Sequence, residues 1–296
     1  MSRSLVVQSV LYENDPAAIV RAAEATANSV RLAKADGLVD DWSLALGDCS
    51  EKPMLADEYL DAIGRLVQAT GGTLIHKFFG QNLGHGGGHN GLAPLSQPEL
   101  LLILNPDALL GPDAIGRLAA TVTDDVALAD GRQLPLDHPK SSDPVTGDAS
   151  WASGACSLIV RSVFDEVGGF DHDTFFMYCD DVDLSWRVRL AGHRVVHQPA
   201  ARVFHDKRLT TDGDIVPSAS EIYYSAEAAV LLAHKYSRDD IAETILATFR
   251  RLDDPTYTRV ISEYARRGRD GELPKQLDTE HKVAQFVGGN YATHRY

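Results

Sequence analysis

Leu100-Leu101-Leu102-Ile103-Leu104-Asn105-Pro106-Asp107 is the stretch on which the fold turns. Five consecutive aliphatic residues are of strand length. Their lack of polar alternation predicts a strand buried on both faces, as in a sheet with helices on either side. Pro106 has no N–H to give to a central ladder, so the strand must stop there and hold Asp107 out in a cleft. An aspartate after a strand is often only a turn former, so the meaning of Asp107 depends on its neighbours in space.

The chain before this strand has a regular alternation. Residues 4–10 are β-rich. Asn14-Asp15-Pro16 then supplies an N-cap and a first-turn proline for a helix reaching Gly37, with Ile19, Ala23, Thr26, Val30 and Ala33 on one face. Residues 42–46 read as a second strand ending in Gly47-Asp48-Cys49-Ser50, residues 54–68 as a second helix, and residues 73–79 as a third strand. The β-α-β-α-β order predicts a parallel sheet covered by helices. Ligands in such sheets sit at the carboxyl ends of strands, which here means near Tyr12, Asp48, Asp107 and the residues after Phe79.

After Phe79 comes Gly80-Gln81-Asn82-Leu83-Gly84-His85-Gly86-Gly87-Gly88-His89-Asn90-Gly91. Gly86, Gly88 and Gly91 fit a dinucleotide fingerprint, with Asp107 at about the expected distance of 20 residues. The context is wrong for it: the first of these glycines comes too late after the strand, and Pro94 and Pro98 break the helix that should follow. A turn-rich loop and a backbone cradle for a mononucleotide diphosphate are the other readings. His85 and His89, four apart, would share a helix face and could ligate a metal. The glycines argue against a regular helix, so loop histidines are expected.

Further on, residues 126–129 and 157–160 read as strands and residues 131–149 as a long loop rich in Pro, Asp and Ser. Then comes Phe175-Phe176-Met177-Tyr178-Cys179-Asp180-Asp181-Val182-Asp183-Leu184-Ser185-Trp186-Arg187. Three carboxylates lie within four positions at the start of a helical pattern of Leu184, Val188 and Ala191, stopped by Gly192. Unpaired N–H groups and the macrodipole at a helix start keep a carboxylate ionised and able to accept a proton. Asp180 or Asp181 as a plain helix cap is the simpler alternative, and Asp183, inside the helix, reads as a supporting residue. From about residue 218 the pattern turns helical, which divides the chain into a main domain of 1–217 and an extension of 218–296. The extension is expected to pack on the core or to form a homodimer.

The chain has 296 residues, 44% of them hydrophobic and 24% charged, which suits a globular protein. A formal charge of -14 counts against a nucleic-acid partner, whose backbone is bound by many Lys and Arg contacts. A phosphate-bearing ligand would then need a local device: a metal, a glycine turn or a helix end. Three widely spaced cysteines give neither a disulfide framework nor a zinc ribbon and suggest a reducing compartment. Neither a signal peptide nor an apolar run near the roughly 20 residues of a membrane span is visible. A cytoplasmic location is expected, including the inner face of the membrane.

Together these residues resemble the inverting family-2 glycosyltransferases with a GT-A fold, especially the bacterial rhamnosyl- and galactofuranosyltransferase-like branch. The resemblance spans about residues 5–208. It rests on Gly168-Gly169-Phe170-Asp171, Phe175 to Tyr178, Asp180-Asp181, Val182 to Arg187 and His205-Asp206. It implies an α/β, Rossmann-like nucleotide-diphospho-sugar transferase fold with a mostly parallel central sheet and a helical C-terminal appendage. The implied activity is transfer of a sugar from a UDP- or dTDP-sugar to a hydroxyl of a glycan, lipid-linked or small-molecule acceptor in polysaccharide biosynthesis.

The resemblance also implies roles. Asp107 and His205 would hold a divalent metal, Mg2+ or Mn2+, on the donor diphosphate. Leu11, Tyr12, Asp48, Asn82, Gly84, Asn90 and Asn105 would line the nucleotide-sugar pocket. Trp151 and Gly154 would face the acceptor, Trp151 as a stacking surface for a sugar, with a core tryptophan as the simpler reading. Asp181 would be the general base, with Asp180 as the alternative. Two positions depart from the family pattern: Asn105-Pro106-Asp107 lacks a first acid, and Asp180 stands where the family has Glu. A non-catalytic nucleotide- or carbohydrate-binding module therefore stays open as an alternative, and the glycine pattern leaves an NAD-dependent oxidoreductase as a third.

Overall fold

The computed structural model describes residues 2–205 and 216–292. Asp206, which closes the His-Asp pair, and the end of the resemblance at Arg208 lie outside the described residues. Strands β1 (Arg3–Leu11), β2 (Val39–Asp48), β3 (Gly72–Phe78) and β4 (Leu100–Leu104) alternate with helices α1 (Pro16–Ala35), α2 (Asp57–Ala69) and α3 (Gly84–Leu92). The four strands are all parallel, in the order β3-β2-β1-β4. The chain then adds β5 (Ala108–Leu110), α4 (Ala114–Thr121), β6 (Val126–Leu134), β7 (Cys156–Val160), α5 (Arg161–Glu166), α6 (Asp180–Leu190) and β8 (Arg194–His205).

Among the described residues these strands form an eight-stranded sheet, β3-β2-β1-β4-β7-β6-β8-β5. The sheet is mostly parallel, as expected, with two of the eight described strands reversed. β7 runs antiparallel to β4 and β6, and β5 antiparallel to β8. Since β6 and β8 are parallel to each other, β7 and β5 are the described strands that oppose the rest.

β4 sits between β1 and β7 and is buried throughout, as its composition requires. Its alternate residues serve two cores. Leu100, Leu102 and Leu104 join Leu5 and Val7 of β1 against α1, α2 and α4, while Leu101 and Ile103 join Val6 against Leu92, Phe164, Leu184 and Val188. The period of two along a strand makes this division automatic. α1 starts where the sequence places it: the Asp15 side chain accepts from the Ala17 N–H, and Pro16 occupies the first turn.

Two segments correct the sequence reading. Residues 131–134 are not loop but the continuation of β6, held by pairing of Arg132, Gln133 and Leu134 with Arg202, Val203 and Phe204 of β8. The glycine-rich segment is not a loop either; it forms α3. Glycine costs about 1 kcal/mol per helical position, so packing must offset that penalty. A Cβ at Gly88 would stand 2.6 Å from the Val10 side chain, and one at Gly86 2.7 Å from that of Phe170. The glycines let α3 lie closer to its neighbours than any side chain would permit.

Beyond residue 216, α7 (Ala219–Lys235), α8 (Asp239–Leu252) and α9 (Pro255–Asp270) form the helical extension. α7 begins with a full capping box between Ser218 and Glu221. Ala228, Leu231, Leu232 and Tyr236 pack against Phe175, Val182 and Trp186, so the extension is fastened to α6. Trp186 is fully buried there. Removing an indole of ~200 Å² from water at ~25 cal/mol per Å² is worth on the order of 5 kcal/mol. Among the described residues no helix is long and apolar enough to cross a membrane.

Candidate active site

The carboxyl ends of β2, β1 and β4 lie side by side, and Leu11 pairs with Asp48. Tyr12 is 44% exposed there. Asp48 is fully buried, its two oxygens accepting from the Ser50 N–H at 3.0 Å and the Met54 N–H at 2.7 Å. It therefore shapes the turn after β2, and its own carboxylate is not open to the cleft. Asn105 and Asp107 follow β4, and His205 ends β8 beside them.

His205 is held in one tautomer. The Gln133 amide nitrogen donates to the Ser153 hydroxyl at 2.8 Å, which leaves its oxygen to accept from His205 Nδ1 at 2.9 Å. Nε2 then faces Asp107 Oδ1 at 3.3 Å and the Asn105 amide nitrogen at 3.3 Å. A carboxylate oxygen and an imidazole nitrogen placed side by side could together hold a divalent ion, and Gln133 orients the imidazole from behind. Among the described residues no group of three or more His, Cys, Asp or Glu side chains converges on one point.

The acidic helix lies next to this pair. Tyr178 and Cys179 both take left-handed backbone conformations, φ 67° and 58°, before α6 begins. Each costs roughly 1–2 kcal/mol for a non-glycine residue. The sharp turn puts Asp180 and Asp181 in the first turn of α6. Asp180 is almost fully buried and receives His85 Nδ1 at 2.6 Å. Asp181 accepts from the Gly154 N–H at 2.9 Å and from its neighbour Val182 N–H at 2.8 Å.

Burial, and then the charge of Asp180, raise the Asp181 pKa above the usual carboxylate value; the Gly154 N–H and His85 oppose the rise. For His85, burial disfavours the cation, but Asp180 and Asp181 outweigh it and the pKa is raised. His89 is different: burial and the nearby His85 depress its pKa well below the usual value, so it sits neutral in the core.

Residues 153–155 join the two clusters. Gly154 holds Asp181, Ser153 holds Gln133, and the Ala155 carbonyl accepts from the Asn105 N–H at 3.0 Å. The segment is itself anchored by Asp130, which accepts from the Ser153 N–H at 2.9 Å and from His197 Nδ1 at 3.0 Å and forms a buried ion pair with Lys140. Burial works against the Asp130 anion, but Lys140 and His197 keep its pKa low.

Asp183 supports the helix, as its place in the sequence suggests: it is fully buried and pairs with Arg187 at 2.8 Å and Lys235 at 2.6 Å.

Other expected site residues turn out to have structural duties. Asn90 clamps the Phe170 peptide group, donating to its carbonyl at 2.7 Å and accepting from its N–H at 2.9 Å, so its amide does not line an open pocket. Trp151 is 2% exposed and meets Tyr291 edge-on, which leaves no open face for an acceptor sugar. Asn82 accepts from the Gly84 N–H at 3.1 Å, and Gly84, at φ +69°, lies against the Phe176 carbonyl. Gly154 serves Asp181. Sequence reasoning passed over Gln133, Ser153 and Lys235 and set His85 aside as a loop histidine. For His85 the signal was its four-residue spacing from His89, which points inward once α3 is known to be helical.

No protein-family model matches the chain. The N-acetylglucosaminyl-diphospho-decaprenol L-rhamnosyltransferase of Mycobacterium tuberculosis is 38% identical over 95 residues, 32% of this chain and 30% of the relative. The match thus spans about a third of that relative's length. Two solved structures share the architecture across nearly the whole chain. The mannosyltransferase PcManGT of Pyrobaculum calidifontis, in complex with GDP-Man and Mn2+, has a TM-score of 0.53 at 15% identity, covering 92% of this chain and 84% of its own. GalNAc-T7 with UDP, GalNAc and Mn2+ has a TM-score of 0.64 at 14% identity, covering 96% and 57%. The fold is that of the GT-A glycosyltransferases. Within that class the chain resembles the bacterial rhamnosyltransferases.

Proposed function

We propose that this chain is an inverting glycosyltransferase that moves a sugar from a nucleotide diphosphate to an acceptor hydroxyl. One observation carries the reading: residues 153–155 hydrogen-bond at once to the Asp181 carboxylate and to the Gln133–His205 pair that faces Asp107. A proton acceptor and a diphosphate-side cluster are thereby fixed in one frame. Asp181 takes the proton of the acceptor hydroxyl while the hydroxyl oxygen attacks the anomeric carbon and the bond from that carbon to the diphosphate oxygen breaks. A single direct displacement inverts the anomeric centre. Asp180 is held by His85 and acts as the orienting partner, which favours Asp181 as the base.

Asp107 and His205 would hold a divalent cation, which supplies electrostatic stabilisation of the departing diphosphate. Tyr12 and the turn built by Asp48 would border the nucleotide. The presence of Mn2+ with a nucleotide or nucleotide sugar in both structural neighbours supports this arrangement. We further read residues 1–217 as the transfer domain, 218–296 as its supporting extension, and the cytoplasm as its place of work.

Thermal-shift screening of UDP-, dTDP- and GDP-sugars with Mg2+ or Mn2+, with activated rhamnose included because of the mycobacterial relative, tests the reading. It predicts a metal-dependent rise in Tm for one nucleotide class and release of sugar from that donor. Asn105, standing where a first metal-binding acid is expected, favours the second reading, a non-catalytic binding module. Metal-dependent binding without any sugar release would select it.

A further inference from the structure

α7, α9 and the segment that leads into α6 enclose an open groove of about 630 Å³. Phe176, Tyr223 and Tyr224 supply its aromatic side, and Arg259, Arg266, Arg267 and Arg269 its cationic side, against Glu227 and Glu263. With Asp270 and Glu272, which Arg266 also engages, the acids around the groove match the arginines in number, so what sets it apart is how the ion pairs are shared out. Two of these arginines are committed. Arg266 pairs with Glu263, Asp270 and Glu272, and Arg267 with Glu263 at 3.0 Å and Glu227 at 3.8 Å. The other two are not. Arg259 lies over the Tyr223 ring at 4.0 Å, and among the described residues neither it nor Arg269 has a carboxylate partner; both are exposed.

We propose that this groove binds the phosphate-bearing part of the acceptor, an elongated ligand with a diphosphate beside its sugar. Guanidinium groups favour phosphate oxygens because their fork of N–H donors matches two oxygens at once. Arg259 and Arg269 are ten residues apart on one helix, about 15 Å along the axis at 1.5 Å per residue. That separation exceeds the span of one carboxylate and suits a diphosphate approached from both ends by long side chains. The tilted Phe176–Tyr224 pair, with ring centroids 4.8 Å apart, offers an apolar surface for the adjoining sugar ring.

Phe176 connects the groove to the segment that carries the candidate base. Phe176 precedes by two residues the left-handed pair Tyr178 and Cys179 that launches α6, and its carbonyl packs on Gly84 at the start of α3. A ligand seated on Phe176 thus leans on the segment that carries Asp180 and Asp181. Calling the ligand an acceptor rests on the glycosyltransferase reading; the anion site itself does not.

The test is calorimetry on the full chain, with inorganic pyrophosphate as the probe and the donor site first saturated with Mn2+ and whichever nucleoside diphosphate the thermal-shift screen selects. The expected result is one further pyrophosphate site, weakened at least tenfold in Arg259→Gln/Arg269→Gln. The Arg259→Lys/Arg269→Lys variant, which keeps the charges, should be weakened less, and Tm should be equal in all three. Absence of a second site, or equal affinity in the Gln variant, overturns the proposal. If the nucleoside diphosphate itself fills the second site with equal affinity and that binding is lost in the Gln variant, the groove is a nucleotide site and the acceptor assignment falls. Failure of any nucleotide to bind would count against the glycosyltransferase reading instead, and pyrophosphate binding measured without nucleotide would still decide the groove.

Discussion

His85 Nδ1 lies 2.6 Å from an Asp180 oxygen, and this contact ties the glycine-rich helix α3 to the first turn of α6. Two segments almost a hundred residues apart thereby set the position of Asp181. The pair also separates the roles of adjacent acids: Asp180 is engaged by a side chain, whereas Asp181 accepts from backbone N–H groups and keeps lone pairs for a proton.

The His85 pKa is raised in the folded chain because Asp180 and Asp181 outweigh burial. Its stabilisation is therefore complete below the ordinary histidine value of ~6.5 and is lost as pH rises through the folded value. Urea denaturation of the native chain and His85→Gln should show a stability gap that narrows as pH rises from below ~6.5 through the raised folded value. A gap that does not change with pH would refute the ion pair.

Lys235 reaches from α7 to Asp171 and Asp183, each at 2.6 Å, and its side chain is 6% exposed. Lys235→Met would strand the fully buried Asp183 with Arg187 as its remaining cation. Removing one partner of a buried pair costs about 3–5 kcal/mol, so a loss of at least about 2 kcal/mol in denaturant unfolding is expected. A change under about 0.5 kcal/mol, the usual surface range, would mean that the clamp contributes little.

Gly84 and Gly168 both have positive φ, yet they should respond differently to alanine. A Cβ at Gly84 would stand 2.2 Å from the Phe176 carbonyl oxygen, while one at Gly168 would meet nothing within 4 Å. Gly168→Ala should cost about 1–2 kcal/mol from backbone strain alone, and Gly84→Ala about 1–3 kcal/mol more from the clash. Equal Tm losses in the two variants would contradict the packing account of α3.

Gln133 is expected to matter for nucleotide binding without touching nucleotide. Gln133→Leu removes the acceptor that fixes His205 Nδ1–H. Loss of a partner behind a metal ligand weakens metal affinity by about 10–100-fold, so Mn2+-dependent nucleotide binding should weaken while metal-independent binding does not. Calorimetry with and without Mn2+ separates the two, and an unchanged Mn2+ dependence would remove Gln133 from the site.

The parallel half of the sheet was legible because β1, α1, β2, α2, β3 and β4 each obey their own period, and a residue such as Pro106 ends its strand by plain chemistry. The reversal at β7 was not. A five-residue strand buried on both faces reads alike in either direction, and its orientation depends on partners far away in sequence. α3 was misread because propensity speaks against a helix of glycines, while the reason for it lies in Val10, Phe79 and Phe170.

The site was legible in part for the same reason. Asp107, Asp180, Asp181 and His205 sit at element ends that patterning predicts, and residues 153–155 link the two groups by hydrogen bonds. Gln133 was hidden in a segment read as loop, and Ser153 has no signal of its own. Trp151 and Asn90 look like ligand contacts in one dimension, yet the fold uses the first as core and the second as a peptide clamp.

Asp181→Asn tests the central claim most directly, because it keeps the shape and the acceptor oxygen while removing the capacity to take a proton. With the donor chosen by the thermal-shift screen, calorimetry should give the native affinity for Mn2+ and nucleotide. Transfer should fall by about 10²–10⁴-fold, the usual contribution of a general base. Transfer at the native rate with native donor affinity would contradict the account.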